Sequence, residues 1–229
     1  MNGAVHTLEI VRPALPAVDR REALRYAGCP DTAHADVNVL LDECAAELVP
    51  HVHAIAVYRR LPVAREGEIL RIGLIETTSE KLKKNLAGCD SAVVFAATAG
   101  MDTDRLIRKY TRVQPSKALM LQALGAERVE ALCDALEAEL APALKDEGLA
   151  RRPRFSPGYG DFPLTHQRDI FKMLNCEKTI GVTLNESLLM SPSKSVTAVI
   201  GLYPGEDSCG PASPHRCWEC GKADCAYRM

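Results

Sequence analysis

The chain has 229 residues, 47% hydrophobic and 25% charged, with a formal net charge of -2 and a pI near 6.3. These are ordinary globular values that allow a sizeable core, and one domain with a tail is the default. No basic stripe marks a nucleic-acid partner, and no lysine and arginine cluster or long apolar run marks a membrane one. The N-terminus lacks a basic segment followed by an apolar one, so a cytoplasmic protein is expected.

Apolar residues Val37, Leu40, Leu41, Cys44 and Leu48 recur at helical spacing and predict an amphipathic helix over 36–49. Strands follow at Ala54–Tyr58 and Ile69–Ile75, joined as a loose hairpin through Arg65-Glu-Gly-Glu68. Ser79 is placed to cap a short helix reaching Leu86. The run Ser91 to Ala97 reads as a buried strand ending at Thr98-Ala-Gly100, with Asp102 and Asp104 opening another helix. From Pro115 to about Leu144 a helical period holds through Ala118, Leu121, Leu124, Val129, Leu132, Leu136 and Leu140, and Pro142 should end or kink this helix. Further on, 164–174 reads as a helix, and 178–184 and 196–203 read as strands. Helices and strands mix without strict alternation, which predicts an α+β fold with a twisted, largely antiparallel sheet flanked by helices.

Between the long helix and the last strands lies Arg154-Phe-Ser-Pro-Gly-Tyr-Gly-Asp161. Its arginine offers a planar fork for a carboxylate or phosphate, and its glycines allow close approach to the main chain. The pattern fits a small anionic ligand. Arg151 and Arg152 beside it read as solvated surface residues, Asp161 as a cap for the helix starting near Leu164, and His166 as structural.

Arg154-x-x-x-Gly158-Tyr159 resembles the S-adenosylmethionine-binding signature of the activation domain of cobalamin-dependent methionine synthase. The order of the blocks Ile180 to Ser187, Met190-Ser-Pro192 and Ser195 to Ala198 resembles the strand, turn and closing strand of the same domain. The resemblance is close over residues 115 to 203. It implies that Arg154 holds the carboxylate of S-adenosylmethionine, that the backbone around Phe155 and Ser156 receives the adenine, and that Tyr159, after Gly158, faces the corrin where the methyl is transferred. Glu130 is the match for an acid facing the ligand's amino group and sulfonium, with Asp134 one turn later as the alternative. Where the multidomain enzymes carry aromatic residues near the adenosine, this chain has Val199 and Ile200.

The nine cysteines fall into two sets. Cys29, Cys44, Cys89, Cys133 and Cys176 are scattered and read as core residues. Cys209, Cys217, Cys220 and Cys225 crowd a tail, 205–229, set apart from a globular domain over 1–204, and four thiolates there could hold zinc or an iron-sulfur cluster. The chain carries no Asp-x-His-x-x-Gly motif for cobalt ligation and is too short for the homocysteine and folate barrels. The resemblance therefore implies an accessory of a methyltransferase system. Its cobalamin would sit on a separate methionine synthase subunit, and flavodoxin or another low-potential donor would supply an electron. Two other functions fit the sequence: a cluster-bearing electron-transfer activator of a corrinoid protein, and a non-catalytic S-adenosylmethionine-binding regulator.

Overall fold

Residues Ala92 to Thr98 are buried without interruption, which only a strand covered on both faces can satisfy. The computed structural model, which describes residues 7–29 and 34–205, places this strand inside the main sheet. In chain order the described elements are β1 (Glu9–Val11), α1 (Arg20–Tyr26), α2 (Ala35–Leu48), β2 (Ile55–Glu66), β3 (Ile69–Ile72), β4 (Ile75–Thr77), α3 (Glu80–Asn85) and β5 (Ser91–Thr98). They continue with α4 (Met101–Tyr110), α5 (Pro115–Asp146), β6 (Leu149–Arg151), α6 (Gln167–Leu174), α7 (Cys176–Ile180), β7 (Thr183–Leu184), β8 (Met190–Ser191) and β9 (Ser195–Pro204). The main sheet runs β4-β3-β2-β5-β9-β6, with β1 on the first half of β2, and every described pairing is antiparallel.

Strand alternation divides the core. Ala92, Val94 and Ala96 of β5 face Leu82, Leu86, Phe162, Ile170 and Leu174 on one side of the sheet. Val93, Phe95 and Ala97 face Leu132, Cys133, Leu136 and Leu144 of α5 on the other. The first half of α5 packs instead with α1, α2 and α4 around Leu41, Cys44, Leu48, Leu121 and Leu124. Thus α5, about 48 Å long at 1.5 Å per residue, spans both the helical cluster and the sheet.

The expected α+β architecture holds, with four local corrections. β2 continues past Tyr58 to Glu66 because its ladder with β5 extends to Pro62 opposite Ser91, despite the polar Arg59-Arg60 step. The strand expected over 69–75 breaks at Gly73, whose φ of +58° starts a tight turn into β4. Pro142 lies inside α5 and does not end it. Proline removes one bond, to the Ala138 carbonyl, while buried Leu144 and the bonds Glu147 N–H to Ala143 O and Gly148 N–H to Lys145 O hold the last turn. The strand expected over 178–184 shrinks to Thr183–Leu184: left-handed Asn175 and Gly181 bracket the turn α7, which buries Cys176 and Ile180.

Ser79 caps α3 as expected, accepting from Leu82 N–H. Four of the five scattered cysteines are buried, Cys29 is half-buried, and all five are free thiols. Phe95, fully buried beneath α5, is the central test of this packing. Phe95→Ala is expected to lower unfolding stability by about 3–5 kcal/mol in a urea titration.

Candidate functional site

Glu127, Glu130, Asp134 and Glu137 recur at three- and four-residue intervals on α5 and form one stripe. Each has a basic partner. Glu127 pairs with the buried Arg128, whose guanidinium also bonds the carbonyls of Pro16 and Ala17, and Glu127 Oε1 accepts from Asp19 N–H at 3.0 Å. The other three carboxylates converge on Arg154.

Arg154 reaches them because the chain after β6 still runs along β9. Phe155 N–H bonds Val199 O at 2.8 Å, and Val199 N–H bonds Phe155 O at 2.9 Å. Alternation then sends Phe155 to the α3/α6 side of the sheet and Arg154 to the α5 side. Arg154 Nη1 donates to Asp134 Oδ1 at 2.6 Å and Glu137 Oε1 at 2.7 Å, and Nη2 donates to Glu130 Oε2 at 2.7 Å. A guanidinium has five N–H donors. Nε–H and one Nη2–H of Arg154 have no partner among the described residues. Burial alone would pull the Arg154 pKa down, but the surrounding negative charges hold it well above its ordinary value.

The four acids differ in exposure. The Glu137 side chain is 9% exposed, against 41% for Glu130 and 30% for Asp134. Arg151, expected at the surface, is buried: it donates to the Glu137 carbonyl at 2.6 Å and lies 3.6 Å from its carboxylate. Burying the aliphatic stem on the sheet and pairing the head with Glu137 explains the difference. Arg152 stacks on Tyr203, with 4.2 Å from Cζ to the ring centroid. On the flank of the stripe the Tyr26 phenol is pushed up to about 12, first by burial and then by Glu130.

The rest of the loop is a braced turn. Tyr159 packs edge-on to Phe155, Phe155 tilts against Phe162, and Phe162 stacks on His166, with centroid separations of 6.4, 6.3 and 5.2 Å. Main-chain bonds from Tyr159 N–H to Ser156 O, Phe162 N–H to Tyr159 O and Gly158 N–H to Phe162 O close it. Gly158 sits at φ +94°, where a Cβ would be strained and would lie 3.2 Å from Leu164. Tyr159 is left 58% exposed. His166 is structural, as expected: besides stacking, its Nδ1 is 2.8 Å from Asp169 Oδ2.

Asp161 does not cap the helix near Leu164. Its carboxylate accepts from Ser79 Oγ–H, Glu80 N–H at 2.8 Å and Lys81 N–H at 3.2 Å, pinning the loop to the start of α3. These are the first-turn amides of a helix with no intrahelical acceptor.

The structure thus joins Arg154 to Glu130 and to Asp134, which sequence left as alternatives, and adds Glu137, whose place on the stripe was the available signal. Phe155, Ser156, Gly158 and Tyr159 form the adjoining loop. Val199 and Ile200 are fully buried and present no side chain to a ligand. The turn Ser191 to Lys194 is held by α4, with Ser193 N–H and Oγ–H both donating to Asp104, and makes no hydrogen bond to the loop among the described residues. Cys209, Cys217, Cys220 and Cys225 lie outside the described residues. Among the described residues no group of His, Cys, Asp or Glu is arranged to hold a metal ion, and no helix is long and apolar enough to cross a membrane. A cleft of about 530 Å³ lined by Arg12, Pro16, Val52, His53 and Arg128, and another of about 470 Å³ beside Phe171 and Val182, take no lining residue from the loop.

An antiparallel sheet with a braced Arg-x-x-x-Gly-Tyr loop beside a long helix that carries an acidic stripe defines a class of α+β proteins that present a partly exposed arginine. The model of the family described as "Vitamin B12 dependent methionine synthase, activation domain" matches residues 77–208, and the chain belongs to that family. The fold is similar to the crystal structure of the MetH reactivation domain bound to AdoHcy, with a TM-score of 0.63 and 20% identity over 91% of this chain and 82% of that one. No curated protein sequence matches the chain.

The Asp161 pin is pH-dependent. Hydrogen bonds from Ser79 and then the Glu80 and Lys81 amides hold its pKa below the ordinary 3.8, so the contribution is present above that value and is lost as pH falls through the folded pKa. The melting temperature of Asp161→Asn should lie below wild type at neutral pH, and the gap should close under acid, below the ordinary carboxylate value. A pH-independent gap would contradict the assignment.

Proposed function

We propose that this chain binds S-adenosylmethionine at the Arg154 loop and acts as a stand-alone activation module. It supports reductive methylation of cob(II)alamin carried by a separate cobalamin-binding methionine synthase subunit. The observation that carries this function is the Arg154 side chain, 25% exposed, beside Glu130 and Asp134, at the family's Arg-x-x-x-Gly-Tyr signature. The amino acid end of the ligand carries both a carboxylate and an ammonium group, and the site offers both complements. The two open N–H donors of Arg154 can take the carboxylate, and Glu130 and Asp134 can take the ammonium and sulfonium.

When bound, S-adenosylmethionine supplies the methyl group for cobalamin after flavodoxin or another low-potential donor has provided one electron. The residues of this chain bind and orient. Arg154 fixes the carboxylate, the main chain at Phe155 and Ser156 receives the adenine, and Tyr159 covers the corrin side of the methyl. A ligand that must meet a cobalt on another protein has to lie open at the surface, and the 58% exposure of Tyr159 supports that placement. Rate acceleration then comes from placement. No side chain here need act as nucleophile, and the protein is an accessory of the methyltransferase system. The globular domain is residues 1–204, and Cys209, Cys217, Cys220 and Cys225 of the tail, 205–229, would hold zinc or an iron-sulfur cluster.

Calorimetry tests the binding step. Arg154→Ala is expected to weaken S-adenosylmethionine at least about tenfold, the loss of a charge-assisted pair. Arg152→Ala, which removes the stack on Tyr203, the bond to the Ala87 carbonyl and a contact with Cys89, should leave affinity unchanged. Equal affinity of Arg154→Ala and wild type would remove the argument.

A further inference from the structure

The charges around Arg154 do not cancel. Glu130, Asp134 and Glu137 face two guanidiniums, Arg154 and Arg151, so these five side chains carry one net negative charge. The surplus does not belong to Glu137, which is buried between both arginines. It belongs to Glu130 and Asp134, each with one guanidinium bond, to Arg154, and a partly exposed side chain. The same surplus lies toward Tyr26, whose phenol Glu130 helps keep protonated.

We propose that Glu130 and Asp134 make the site a charge selector, favouring the cationic sulfonium of S-adenosylmethionine over the neutral thioether of S-adenosylhomocysteine. This rests on the ligand proposed above and adds its regulation. The amino acid end of either ligand is a zwitterion and brings no net charge, so the sulfonium is the only electrostatic difference between them. With the sulfonium bound, the five side chains and ligand are neutral. In transfer to cob(I)alamin the S–CH3 bond breaks with its electron pair staying on sulfur, the cobalt pair forms the new bond to carbon, and the ligand loses its positive charge. The unbalanced negative charge returns, and the product is released in preference to the substrate. A site complementary only to adenosine and a carboxylate would retain the product equally well.

The test uses the full chain and three probes: S-adenosylmethionine, S-adenosylhomocysteine and sinefungin, which carries an ammonium in place of the sulfonium and has no methyl to transfer. Calorimetry at low salt is expected to give both cations at least about fivefold tighter binding than the thioether, with the ratio shrinking at high salt as screening grows. In Glu130→Gln and Asp134→Asn the ratio should fall toward one. Because Glu130 and Asp134 also serve the ammonium that all three probes carry, the variants are read by the ratio alone, an unchanged melting temperature reports that they are folded, and the salt dependence of the wild type tests the same charge without any substitution. Equal wild-type affinities for all three probes, or a ratio unmoved by both variants and by salt, would overturn the selector while leaving the binding site standing. Failure of every probe to bind wild type would overturn both.

Discussion

A carboxylate buried against a sheet must be paired, and Glu137 is the residue around which this molecule resolves that demand. An unpaired charge at this depth is strongly destabilising. Its partners, Arg151 and Arg154, come from β6 and the segment that follows, so satisfying Glu137 ties the second half of α5 to the edge of the sheet. The same pairing fixes where the chain leaves β6. From that exit point Phe155 bonds to Val199, and the loop that follows has one path.

The loop is therefore held from three sides. Arg154 anchors its start to α5, the run of rings from Tyr159 to His166 supports its middle, and Asp161 fastens its end to α3. None of these contacts covers the Arg154 donors that remain open or the exposed face of Tyr159. Rigid support beneath an open surface suits a ligand that a second protein must reach, because the positions of the reacting atoms are set before the partner arrives. The clefts of about 530 and 470 Å³ take their lining from other residues.

Much of this was legible in the residues. The period of α5, the buried run of β5 and the cap at Ser79 are local signals, and each appears where the pattern places it. Arg154 and Glu130 were legible from motif and helix spacing together. What stayed hidden depended on distant partners. Asp161 binds a helix start about eighty residues earlier in the chain, so the nearer helix at Leu164 drew the wrong assignment. Arg151 reads as one of two solvated arginines until the sheet buries it. The β-branched pattern around Ile180 looked extended, but left-handed Asn175 and Gly181 and the burial of Cys176 with Ile180 favour a helical turn there. Pro142 is tolerated because tertiary packing of Leu144 outweighs one missing helical bond.

Membership of the activation-domain family and the geometry at Arg154 meet in one central claim: the methyl of a ligand held here is passed to cobalt on another protein. The direct measurement is single-turnover transfer from methyl-labelled S-adenosylmethionine to a cobalamin-loaded methionine synthase subunit in the cob(II)alamin state, with a low-potential reductant, in the presence and absence of this chain. The account predicts label in methylcobalamin only when both the chain and the reductant are present. Equal labelling without the chain, or none with it while S-adenosylmethionine is bound, would contradict it.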